Sequence, residues 1–123
     1  MHLCSFENSG SYLSFFIGIR VEVALSEDAL KRWVDESVQV SMQHGYNPSY
    51  FNEMIARYGA RRAMARLVST GKIQSGLPRL KLLGLASEWS IEAGILKFPD
   101  LFTKEEQAMA KFRLEHADDP LLR

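Results

Sequence analysis

Apolar positions follow two rhythms along the chain. Ile17, Ile19, Val21, Val23 and Leu25 alternate with Gly18, Arg20 and Glu22, the period of two that marks a half-buried strand. From Ser26 the spacing changes to threes and fours. Ser26 reads as an N-cap, and Glu27 and Asp28 suit the positive end of a helix dipole. Leu30, Trp33, Val34, Ser37, Val38 and Ser41 then share one face. Gly45, after His44, ends that helix. Asn47 as a cap and Pro48 in the first turn open the next, whose stripe is Phe51, Met54, Ile55 and Tyr58.

Gly59 has to break the pattern. In one continuous helix, Ala63, Met64, Leu67 and Val68 would face away from Phe51, Met54 and Ile55, at 100° per residue. A break at Gly59 lets both stripes turn inward and leaves Arg61, Arg62 and Arg66 on the outer side. Residues 69–76 read as a linker. A short helix follows over 77–83, opened near Pro78 and ended by Gly84. Ser90 caps another, Ile91 to Lys97, which Pro99 stops. Thr103 and Glu106 form a Thr-x-x-Glu capping box for a last helix, with Ala108, Met109 and Phe112 as its buried stripe.

The pattern predicts an all-α fold, a compact bundle of five or six short helices with an N-terminal extended arm or strand. Residues 1–25 are the arm, 26–117 the helical domain and 118–123 a frayed tail. No second segment alternates like 17–23, and a lone strand leaves its backbone groups unpaired. It would pair with its copy in a second chain, giving a homodimer through residues 17–23, or clip onto another protein.

The chain has 123 residues, 46% hydrophobic and 24% charged, the balance of one ordinary globular domain. Its single cysteine, Cys4, cannot bridge internally and fits a reducing compartment. Collagen-like, low-complexity and disulfide-framework proteins are excluded. The run Tyr12 to Ile19 has only Glu7 ahead of it, whereas a secretory signal begins with basic residues. No stretch is apolar enough to span a bilayer. The expectation is a cytoplasmic protein with no membrane partner.

The formal net charge is zero, but charge is segregated. Residues 54–83 carry Arg57, Arg61, Arg62, Arg66, Lys72, Arg79 and Lys81 and not one carboxylate, between two acidic flanks. An internal electrostatic fit would explain this, and so would a surface for phosphate or an acidic partner. Arginine keeps its charge and grips carboxylate or phosphate through two parallel N–H donors, so these seven are the candidate partner-binding residues.

Other chemistry is thin. His2, His44 and His116 lack ligand-like spacing, so no metal residue is assigned. Glu88 and Glu92 stand four apart but read as surface carboxylates. Glu105 and Glu106 suit a helix start. Gly71, Gly76 and Gly84 match no nucleotide fingerprint. No catalytic or cofactor-binding residue is assigned, and no cofactor is expected.

Residues 45–114 resemble a mostly uncharacterised family of small all-helical bacterial domains. The elements that carry the resemblance are Gly45-Tyr46-Asn47-Pro48, Phe51 with Met54, and Gly59 with Ala63 and Leu67. Ser75-Gly76-Leu77 with Leu80, Ile91-Glu92-Ala93, and Leu101-Phe102-Thr103-Lys104-Glu105-Glu106 complete the pattern. The resemblance implies a helical module, alone or attached to other bacterial proteins, some connected with mobile elements or defence. It implies no catalytic residue. The expected function is a non-enzymatic interaction or accessory module that binds an acidic protein surface or a nucleic-acid backbone through its arginine face. Two alternatives stand beside it. One is a nucleic-acid-binding regulator. The other is a small enzyme with a composite site at a dimer interface, where Glu88, Glu92 or His44 would meet an arginine.

Overall fold

The computed structural model describes residues 25–71 and 73–122. The strand-like segment 17–23, the homodimer it would make and Lys72 lie outside the described residues. What is described is an all-α bundle of seven α-helices and two 3₁₀ turns. The first helix, α1, is described over 25–43. Then come α2 (Ser49–Tyr58), α3 (Ala60–Val68), α4 (Gly76–Leu82), α5 (Ala86–Trp89), α6 (Ile91–Lys97) and α7 (Lys104–Glu115). The 3₁₀ turns are Pro99–Leu101 and Pro120–Leu122.

The face predicted for α1 is the one it buries: Leu30, Trp33, Val34, Ser37 and Ser41 are withdrawn from water. Residue 25 is already helical, so Ser26 lies inside the helix and cannot cap it. Gly45 ends the helix at φ +84°. The cap of α2 falls one residue later than expected. Pro48 occupies it without a side-chain hydrogen bond, and its carbonyl accepts from Asn52 N–H.

Gly59 breaks α2 from α3 as the phase argument requires, at φ +82° and ψ +165°. That region is all but reserved for glycine. After the break, α3 buries Ala63, Met64, Leu67 and Val68 beside Phe51 of α2. The main core unites these with Leu30, Trp33 and Val34 of α1, Ile95 of α6, and Phe102 and Ala110. Trp33 stacks on Trp89 with ring centroids 5.9 Å apart and meets the edge of Phe98 at 6.4 Å. Gly94 faces the same indole, where a Cβ would come within 2.4 Å of a Trp33 ring carbon.

A second core holds Ile73, Leu77, Leu80, Ala86 and Ala117. The C-terminal turn meets it: Ile73 N–H donates to the Leu122 carbonyl at 2.7 Å and Leu122 packs on this core.

The two later predicted caps, Ser90 and Thr103, both form. Ser90 Oγ accepts from Ala93 N–H at 3.0 Å. Thr103 Oγ1 accepts from Glu106 N–H at 3.0 Å, and Glu106 Oε1 accepts from Thr103 N–H at 2.9 Å. The phase of α7 is the larger correction. Ala110 and Arg113 are buried, while Ala108, Met109 and Phe112 face solvent. Arg113, which the pattern placed outside the buried stripe, is the side chain that is buried. No helix of the described residues is long and apolar enough to cross a membrane.

Candidate functional site

The six described basic residues of the candidate face are all exposed, but they do not form one patch. Arg61, on α3, donates from Nε to Glu27 Oε2 at 2.9 Å, near the start of the described part of α1. Arg79, on α4, donates from Nη2 to the Gly45 carbonyl at 3.4 Å, just past the other end of α1. At 1.5 Å per residue those two ends stand about 25 Å apart. The six described residues of the predicted binding surface therefore divide. Arg57, Arg61, Arg62 and Arg66 gather at the α2–α3 elbow, while Arg79 and Lys81 lie at the opposite end.

Several of these cations are already engaged within the chain. Lys81 Nζ lies 2.8 Å from Asp118 Oδ2, and both groups are well exposed, so the pair contributes little to stability. The Arg61–Glu27 pair is also solvated. Arg79 lies over the Tyr46 ring at 5.8 Å. Arg66 lies over the Tyr58 ring at 4.2 Å, which occupies the face of the guanidinium and leaves its in-plane N–H groups available. Among the described residues, Arg57, Arg62 and Arg66 have no carboxylate at ion-pair distance. Arg61 and Arg62 line an open groove whose other wall carries Glu27, Asp28, Lys31 and Asp35 of α1.

A second arrangement was not foreseen. Glu92, read as a surface carboxylate, is 4% exposed, and Arg113 is 2% exposed. Arg113 Nε donates to Glu92 Oε2 at 2.8 Å. Arg113 also donates to Gln74 Oε1 and, at 3.3 Å, to the Thr70 carbonyl. Gln74 is held in turn by its own donation to Thr70 Oγ1 at 2.8 Å and to the Leu67 carbonyl at 3.2 Å. The stretch 69–76, read as a plain linker, thus supplies acceptors to a buried guanidinium. The sequence signal was indirect: α7 has an apolar surface-facing stripe and no apolar residue at position 113.

Glu92 also forms part of a cavity of about 110 Å³ between the end of α1, the start of α4 and the α5–α6 junction. Ser37, Ser41, Tyr46, Phe51, Leu77 and Trp89 are among its walls. Tyr46 leans on Gly76, where a Cβ would meet the phenol oxygen. Burial pushes the Tyr46 phenol above its ordinary pKa of 10.0, and the nearby Arg79 guanidinium draws it partly back. Among the described residues, no three His, Cys, Asp or Glu side chains gather as a metal-binding group. Comparison with protein-family models, curated proteins and solved structures finds no match to this chain.

Proposed function

We propose that the chain is a non-enzymatic interaction module, of the bacterial kind that residues 45–114 resemble, and that it docks an acidic partner on the α2–α3 elbow. The observation that carries this reading is the trio Arg57, Arg62 and Arg66, exposed and without a carboxylate partner among the described residues. Arg66 is held by Tyr58, so less side-chain freedom is lost when it takes a partner carboxylate. The α1 wall of Glu27, Asp28, Lys31 and Asp35 beside the elbow is net negative, so an acidic surface compact enough to stop at the elbow fits better than one that extends along the groove. An extended phosphate backbone running past that wall would meet like charge.

The test is charge reversal. A fluorescently labelled Asp/Glu-rich peptide and a labelled DNA duplex are titrated with the protein and with two variants. The Arg57→Glu/Arg62→Glu/Arg66→Glu protein loses peptide binding while its helical circular dichroism is unchanged. The Arg79→Glu/Lys81→Glu protein keeps it. Equal binding by the triple variant contradicts the reading. Tighter binding of duplex than of peptide transfers it to nucleic acid.

A further inference from the structure

We propose that the cavity beside Glu92 is a binding site for a small neutral molecule that joins an apolar body to a hydroxyl or amide N–H donor. Two buried polar groups point to it. Ser41 is 3% exposed and Glu92 is 4% exposed, and both line the cavity. Glu92 gives Oε2 to Arg113, while its Oε1 accepts from none of the described residues. Neither does the Ser41 hydroxyl bond to any of them. Ser37 and Ser90, on the same wall, do have partners: their hydroxyls donate to the Val34 and Ala86 carbonyls at 2.9 and 2.6 Å. Among the described residues Trp33 Nε1 is the one fully enclosed side-chain polar atom without a partner, so the Ser41 hydroxyl and Glu92 Oε1 open onto the cavity, where a ligand donor can take the place of water.

Charge selects the kind of occupant. The Glu92 carboxylate is already neutralised by Arg113, so a ligand cation would find no unpaired carboxylate there to offset its desolvation. Arg113 is not part of the cavity wall, and its donors are turned to Glu92, Gln74 and Thr70, so nothing there compensates an anion. A neutral donor fits the open Oε1. Phe51, Leu67, Leu77, Leu80, Trp89 and Ile91 supply apolar wall for the rest of the molecule. The volume sets its size. An apolar cavity of about 150 Å³ accepts benzene, so 110 Å³ suits a ring of about five atoms.

The test uses four molecules of one shape: cyclopentanol, cyclopentanone, cyclopentylammonium and cyclopentanecarboxylate. Each is titrated into the full chain and followed by the indole and methyl NMR signals of Trp89, Leu77 and Ile91. Cyclopentanol gives saturable shifts, and the ketone, which has no donor, binds more weakly. Ser41→Ala, which leaves the Glu92–Arg113 pair intact, weakens cyclopentanol about five-fold, the effect of one hydrogen bond. Ser41→Leu, which fills the space, removes the shifts altogether. The proposal is overturned by any of three results: no saturation by cyclopentanol at 10 mM or below, equal binding of alcohol and ketone, or tighter binding of either ion.

Discussion

Arg113 Nε donates to Glu92 Oε2 across 2.8 Å, tying α7 to α6 where both side chains are almost wholly withdrawn from water. Removing either partner strands the other charge in the core, at a cost of about 3–5 kcal/mol. Urea denaturation of Arg113→Ala and of Glu92→Ala should show losses of that order. Replacing both partners with apolar side chains, Glu92→Leu with Arg113→Met, should recover most of the loss. A near-neutral Arg113→Ala would mean that the pair is solvated after all.

The elbow rests on Gly59. Its backbone conformation strains any residue with a Cβ, although an added methyl would meet nothing within 4 Å. Gly59→Ala should therefore destabilise by about 1–3 kcal/mol through the backbone alone. Thermal melting measures this, with Gly71→Ala, at an open position without positive φ, as the neutral control.

Gly94 fails differently. A Cβ there meets the Trp33 ring and the Met64 methyl at 2.4–2.7 Å. Gly94→Ala has to push the indole away from Trp89, at a cost of about 1–3 kcal/mol for overpacking. Tryptophan emission should shift to the red together with the fall in melting temperature. An unchanged spectrum would place the indole elsewhere.

Tyr46 links the cavity to pH. Its folded-state pKa is raised, so the folded chain keeps the phenol proton after the unfolded chain has released it. The contribution is complete below the unfolded value of about 10 and is lost as pH rises through the folded value. Stability should fall above pH 10 in the native chain and fall less steeply in Tyr46→Phe. Denaturant melts at pH 9 and 11 make the comparison.

Much of the helical frame was legible because local chemistry fixes it. Gly59 had to break a helix whose two stripes were out of phase. Ser90 and Thr103 announced helix starts by their hydroxyls, and α1 buried the face its spacing predicted. The second helix starts one residue later than its pattern predicts, because Pro48, expected in the first turn after an Asn47 cap, is itself the cap. Two things were not legible. The burial of Arg113 depends on Glu92 and Gln74, 21 and 39 residues away, and a pattern that assigns arginine to solvent inverts the phase of α7. The candidate basic face was read as continuous because its residues are close in sequence. In space, the length of α1 lies between Arg61 and Arg79. The one-turn helix α5 is too short to show a period.

The proposed docking at the elbow is tested most directly by mapping where an acidic peptide lands. Chemical-shift perturbation with a labelled full-length chain reads every residue at once. The account predicts saturable, salt-sensitive shifts concentrated at Arg57, Arg62, Arg66 and Tyr58, with Arg79 and Lys81 unmoved. Shifts centred on Arg79 and Lys81, or none at low salt, would contradict it.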